Sequence, residues 1–376
     1  MRPATEAELA DILKGANAPL AVCGGGTRAI GALSGAAVQT GGLAGVRLYE
    51  PGALTLVAGA GTRLAEVEAA LAAEGQRLPF EPPDLRALLG RGGESTIGGV
   101  VAANESGPRR VQAGACRDAL IGVRFVDGTG AVVRNGGRVM KNVTGYDLVK
   151  LMAGSRGTLG VLTEVSFKVQ AIPEAEATLL AEGLAPEAAL AAMRAALNSP
   201  FEVSGAAHLE AAAAGGASRS LIRIEGMAGS VAYRLDRLRE IVGPWAAVEG
   251  EASAALWRGV RDVAPFAGRP GAVWRLALRP TSALGPVAAL QAAGLDHAAI
   301  WDWAGGRLWL CVTGASDGGA AVIRAGLDGH ATLIRPEPGM AAVPVFPPEP
   351  APVAGLTRAL RARFDPRGIL NPGLMG

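Results

Sequence analysis

Apolar positions recur with two periods along this chain, and the switches between them mark out alternating helices and strands. Thr5-x-x-Glu8 has the form of a capping box and predicts a short helix running to about Lys14. The run Leu20-Ala21-Val22-Cys23 reads as a buried strand delivering the loop Gly24-Gly25-Gly26-Thr27-Arg28. Thr55 to Ala58 forms a second strand, closed by Gly59-Ala60-Gly61, and Thr62 is expected to cap a helix with Leu64, Val67 and Leu71 on one face. Residues Pro79 to Gly99 are rich in proline and glycine, read as irregular, and end at Ser95-Thr96-Ile97-Gly98-Gly99. Ile121 to Val126, Asp127-Gly128-Thr129-Gly130 and Ala131 to Arg134 spell a β-hairpin. Val161 to Val169 alternates, with Val161, Val165, Phe167 and Val169 on one face and Glu164, Ser166 and Lys168 on the other, which predicts a half-buried strand.

The texture changes near Ile172-Pro173. Beyond it, Ala-rich helices (Pro186 to Leu197, Val231 to Val242) alternate with strands (Leu221 to Ile224, Val273 to Leu278, Leu308 to Val312). Trp301, Trp303 and Trp309 alternate on a hairpin and read as core filling, with an interface as the alternative. The pattern gives an α+β protein: a first unit over residues 1–172 and a second, smaller α+β unit over 173–350. Residues 351–376 supply a last helix, Val353 to Phe364, and a tail returning toward the first unit, after a proline-rich connector.

Composition narrows the function classes. Basic and acidic residues nearly cancel, 36 against 34, so the chain lacks the charge footprint of a nucleic-acid binder. Aromatic residues make up only 4%, too few for a single-strand stacking platform. Cys23, Cys116 and Cys311 are far apart and form no CxxC pair, so neither an iron–sulfur cluster nor a thiolate zinc site is expected, and no other metal site. The opening residues lack the apolar core of a signal peptide, and no apolar run approaches the ~20 residues that span a bilayer. A cytoplasmic location is expected, with peripheral attachment to the inner face of the cell membrane left open.

The chemistry lies in the glycines. A pyrophosphate carries two negative charges, and backbone N–H groups bind it when no side chains shield them. Gly24-Gly25-Gly26-Thr27 directly after a strand offers that geometry. Gly24-x-Gly26-x-x-Ala29 also meets the Rossmann fingerprint, but Gly31, Ser34 and Gly35 interrupt the helix this fingerprint needs. A plain flexible turn is the remaining alternative. Two further glycine clusters, Ser95 to Gly99 and Gly154 to Gly160, suit a long cofactor lying across several loops.

Taken in order, Gly24 to Thr27, Gly59 to Thr62, Thr96 to Gly99, Lys141 to Leu148 and Gly154 to Thr163 resemble the FAD-binding domains of the vanillyl-alcohol-oxidase (PCMH) family. The tail Phe364-Asp365-Pro366-Arg367-Gly368-Ile369-Leu370-Asn371-Pro372-Gly373 resembles the C-terminal signature of FAD-linked 2-hydroxy-acid dehydrogenases. Ser106 to Arg110 and Asn135 to Lys141 bring the likeness closest to the flavin subunits of bacterial glycolate oxidases. The resemblance implies a PCMH-type FAD-binding domain of two α+β subdomains followed by a cap. By resemblance, Gly24, Gly25, Gly26, Thr27 and Arg28 cradle the pyrophosphate. Ser95, Thr96, Gly98, Gly99 and Asn104 line its other side and the ribityl chain, and Gly160, Val161 and Thr163 pass along the adenine end. Thr27 stands where several members attach flavin through a histidine, so the FAD is expected to be noncovalent.

Oxidising a 2-hydroxy acid requires a base for the hydroxyl proton, a cation for the carboxylate and a hydride acceptor. His208, His297 and His330 are isolated in sequence, so no catalytic residue is assigned. Arg109 and Arg110 are the candidates for a carboxylate, with solvated charges or contacts to a partner protein as the alternative. The resemblance implies an accessory FAD subunit working with a larger FAD subunit and an iron–sulfur subunit in a glycolate oxidase that passes electrons to an acceptor other than O2. A self-sufficient FAD-dependent 2-hydroxy-acid dehydrogenase and a structural subunit with a vestigial flavin site are the two rival readings.

Overall fold

The computed structural model describes residues 1–137 and 145–375. The segment Lys141 to Thr144, part of the family likeness, lies outside the described residues.

The first unit is built on a five-stranded antiparallel sheet. Its order is Val46–Glu50, Thr55–Gly59, Val161–Lys168, Leu120–Val126 and Val132–Gly136. Val161–Lys168 therefore lies in the middle of the sheet. Thr163 and Ser166 are buried along with Val165 and Phe167, so this strand is covered on both faces instead of one. The helices Leu64–Ala72 and Ile97–Ala103 bring Val67, Leu71, Val100 and Val101 into the core with Leu56, Phe125 and Phe167. Thr62 does not cap the helix after it. Its hydroxyl donates to the Gly59 carbonyl at 2.6 Å and accepts the Gly45 N–H at 2.9 Å, which pins the preceding turn.

A second, smaller layer of this unit carries the glycine loop. Leu20–Cys23 pairs in parallel with Ala36–Gln39, and on its other side Leu20 bridges to Leu370 in the tail. The tail is locked there by buried polar groups. Asp365 accepts the N–H groups of Ile369 and Leu370. The Asn371 amide accepts the Val22 N–H at 2.7 Å and donates to the Val22 and Arg156 carbonyls. One buried amide thus holds the strand that feeds the glycine loop and the segment facing it, consistent with satisfied polar groups in a dry interior.

The second unit holds an eight-stranded sheet. Its order is Ala246–Glu249, Ala175–Glu182, Arg219–Gly226, Gly205–Leu209, His297–Asp302, Arg307–Val312, Ala272–Leu278 and Gly329–Arg335. It is the wider of the two sheets, where the sequence suggests the smaller unit. Pro186–Leu197, Ala228–Val242 and Gly285–Ala292 cover one face through Leu190, Met193, Leu235 and Leu290. Ile300, Trp309 and Cys311 on the sheet instead share a cluster with Ile30, Leu85 and Leu88 of the first unit. Each large apolar side chain fully buried there contributes roughly 1.5–3 kcal/mol, so the sheet roofs the first unit as well as filling its own core.

Ion pairs reinforce this contact. Arg109 donates to both oxygens of Glu225 at 2.9 and 2.8 Å, and Arg223 donates to both oxygens of Glu81 at 2.9 Å. Arg77 adds a third cation on Glu225 at 2.7 Å. Glu81, Arg77 and Arg109 belong to the first unit, and Arg223 and Glu225 to the second.

Candidate cofactor and substrate site

The loop after Leu20–Cys23 folds against the segment before helix Ile97–Ala103, backbone on backbone. A Cβ on Gly24 would overlap the Thr96 hydroxyl, one on Gly25 would overlap the Glu94 carbonyl, and Gly26 has φ +73°. Only residues without side chains allow this approach. No hydrogen bond within the protein uses the backbone N–H groups of Gly25, Gly26, Thr27 or Arg28 among the described residues. Those amides border an open cleft that also meets Cys23, Thr96, Gly99 and Arg156. A neighbouring cleft shares Gly24, Gly99 and Arg156 and runs past Gly98, Gly157, Gly160 and Val161. The two form one groove between the glycine loop and the central strand.

Arg28 is the electrostatic anomaly of this groove. Its side chain is buried, one nitrogen donates to the Ser95 hydroxyl at 2.8 Å, and Nε and Nη1 have no partner among the described residues. Burial pulls its pKa below the usual arginine value, although the charges of Glu105 and Asp84 oppose that shift. A buried cation with two unmet donors beside free amides is costly to a protein unless an anion completes it. Arg156 resembles it: burial first, then Arg275, lowers its pKa to about 10. The donor set, cations and bare amides with no Asp or Glu on the groove wall among the described residues, fits a diphosphate.

Arg156 also borders a third cavity against the second sheet. Arg110, Arg275, Arg307, Trp303 and His330 line it, and no acidic residue does among the described residues. Arg275 pairs with Glu105 behind the wall, both carboxylate oxygens at 2.9 Å, and the arginines around Glu105 hold its pKa at about 2 against the burial that alone would raise it. Arg307 donates to the Ser106 carbonyl at 2.7 Å and lies 3.5 Å from the Trp303 ring centre; Arg110 lies 4.5 Å from the same ring. Burial, then Arg275, keeps His330 below the ordinary histidine value, which favours the neutral ring at pH 7.

Most of the glycine-loop residues singled out in the sequence come together here. Gly24, Gly25, Gly26, Thr27, Arg28, Thr96, Gly98, Gly99, Gly160 and Val161 border the groove, Ser95 holds Arg28, and Asn104 borders the third cavity. Thr163 does not reach it. Its hydroxyl donates to Glu6 at 2.7 Å because the central strand turns that position toward the first helix. Arg109 is likewise no carboxylate clamp: its guanidinium is saturated by Glu225 and Glu81 in the unit contact. Arg110, its neighbour, does face the third cavity. Trp301 and Trp309 fill the interior as expected, but Trp303 forms a cavity wall. His208 is buried against Ser220 and His297 bonds the Leu295 carbonyl, which leaves His330 as the histidine of the third cavity. Sequence reasoning missed Arg156, Arg275 and Arg307. Arg156 sits inside the third glycine cluster, and a single arginine in the otherwise apolar Ala272–Leu278 was the available signal for Arg275.

A glycine-rich anion groove in one α+β unit, roofed by a second antiparallel sheet, defines a PCMH-type FAD-binding oxidoreductase fold. Residues 1–136 match the family model of the FAD binding domain. Glycolate oxidase subunit GlcE of Escherichia coli (strain K12) is 36% identical over 332 residues, 88% of this chain and 84% of that protein, and the chain belongs to the GlcE family. Glycolate oxidase subunit GlcD of Bacillus subtilis (strain 168) is 43% identical over 102 residues, 27% of this chain and 21% of that protein. Among solved structures, 4-ethylphenol oxidase from Gulosibacter chungangensis superposes with TM-score 0.73 at 13% identity, covering 99% of this chain and 88% of that one. Alkyldihydroxyacetonephosphate synthase superposes with TM-score 0.70 at 18% identity over 99% of this chain and 76% of that one. At such identities these two likenesses concern the fold.

Proposed function

We propose that this chain is a noncovalent FAD subunit of a glycolate-oxidising complex, in which glycolate becomes glyoxylate and electrons leave to an acceptor other than O2. The observation that carries the reading is Arg28, a buried cation with two unmet donors beside the free amides of Gly25, Gly26 and Thr27. Bound FAD supplies a hydride acceptor. The chain's own residues do the rest. The glycine loop and Arg28 bind the diphosphate, and Arg156 stands where the groove turns toward the second sheet. Trp303 and Phe346 help close the third cavity against water. Thr27 occupies the position after the glycines and Cys116 is buried away from the groove, which supports noncovalent attachment.

The partners in this reading are a larger flavin subunit, for which GlcD of B. subtilis is the model, and an iron–sulfur subunit. The three cysteines of this chain lie too far apart in sequence for a CxxC-type cluster site, which supports placing the cluster in another chain. Purification of the complex tests the reading. The expected result is a yellow subunit with one FAD per chain, its flavin bleached by glycolate under nitrogen. A chain that stays colourless with excess FAD overturns it.

A second reading, a subunit that oxidises the acid by itself, draws support from the arginines of the third cavity. Glycolate bleaching of the isolated subunit favours it over the accessory role.

A further inference from the structure

We propose that the third cavity is a carboxylate-binding site belonging to this chain, formed by Arg110, Arg275 and Arg307, and that it takes a small 2-hydroxy or 2-oxo acid. The proposal rests on the reading of the chain as an FAD subunit and adds that acid recognition is not left to a partner.

The three cations come from separate elements. Arg110 opens the short helix Arg110–Ala113, Arg275 lies on Ala272–Leu278, and Arg307 begins Arg307–Val312. Three chain segments therefore deliver positive charge to one space that no Asp or Glu lines among the described residues. The charges oppose one another. After burial, Arg275 is among the causes lowering the pKa of Arg110, Arg156 and Arg307, the last to about 9. Glu105 bonds Arg275 directly and its charge partly offsets Arg156 and Arg307, and Asp302 stands by Arg307. The Arg110 side chain donates no hydrogen bond among the described residues and is held instead over the Trp303 ring. A guanidinium stacked on a ring keeps its planar N–H fork for a carboxylate. Cations converging from several sides favour an acid with its charge at the centre and little uncharged length. The arginines are the charged groups on this wall that an acid would meet.

Calorimetric titration of the FAD-loaded full chain with oxalate, an unreactive two-carbon acid, tests this, with the visible spectrum of the same sample giving its flavin content. Saturable one-to-one binding is expected, with neutral glycolamide at least tenfold weaker. Arg110→Leu leaves no buried carboxylate unpaired and is expected to weaken oxalate at least tenfold at unchanged flavin content. Arg275→Lys keeps a cation beside Glu105 and is the second variant, expected to weaken oxalate severalfold. Flavin-replete protein that gives no oxalate heat overturns the acid site while leaving the FAD reading intact. Oxalate affinity unchanged in both variants, or glycolamide binding as well as oxalate, also overturns it.

Discussion

Two regions of this molecule bury arginine, and they do so in opposite ways. Where the two units meet, Arg109 and Arg223 are matched by Glu81 and Glu225 at 2.8–3.0 Å, and Arg77 reaches Glu225 at 2.7 Å with its buried Nε unmet among the described residues. Along the groove, Arg28 keeps two unmet nitrogens. The carboxylates of the first region sit below their ordinary pKa because several guanidiniums face them, even though burial alone would raise them. The arginines of the second are pulled below theirs because burial is not repaid. Arginines that the fold completes act as structure. Those it leaves incomplete mark where a ligand's charge belongs.

The contrast is sharpest where the groove is narrowest. Gly25→Val puts a side chain into the Glu94 carbonyl and forces the two loops apart. FAD content read from the flavin absorbance is expected to fall to near zero, the largest effect foreseen. Glu225→Ala leaves Arg109, Arg77 and Arg223 short of a counter-charge in a dry contact. Loss of a buried partner costs about 3–5 kcal/mol, measurable by urea unfolding, and FAD affinity in the folded fraction should stay within a factor of three. A Glu225→Ala chain that loses FAD without losing stability would break the division between the regions.

Acid should separate them too. Glu105, with its pKa held at about 2, and Glu225 both lie below the ordinary value of 4.5. A carboxylate depressed in the folded state contributes stability that is complete above its unfolded pKa and disappears as pH falls through the folded one. Urea midpoints are therefore expected to drop between about pH 5 and pH 2, and the drop should shrink in Glu225→Gln. The smallest effect belongs to Arg28→Met. It removes a charge-assisted donor to the diphosphate, a loss of roughly 1.5–3 kcal/mol in FAD binding. Because that cation is unpaired, the FAD-free chain should lose no stability; an apo chain destabilised as much as Glu225→Ala would refute the comparison.

Local features were legible in the sequence. The strand Leu20–Cys23, its glycine loop, the hairpin from Leu120 and the helices Pro186–Leu197 and Ala351–Phe364 follow from short-range pattern, because periodicity and bare residues act within a few positions. Long-range pairing was not. Arg109 looks like a free cation until Glu225, 116 residues away, folds onto it. Thr163 fits the groove by order along the chain but faces Glu6, 157 residues away. Ala-rich strands such as Gly205–Leu209 and Ala175–Glu182 escaped notice because alanine carries little strand preference; sheet neighbours, not propensity, make them strands. Arg275 and Arg307 join a site only after the second sheet closes over the first unit.

Asn371 also makes the holoprotein depend on a distant part of the chain. The amide that braces Val22 and Arg156 lies 349 and 215 positions beyond them, so the cradle at residues 24–28 stays unfinished until that tail has folded back. Cofactor capture then follows docking of the tail. A nonsense codon only a few positions before 371 should yield a chain with its second sheet formed and its flavin absent.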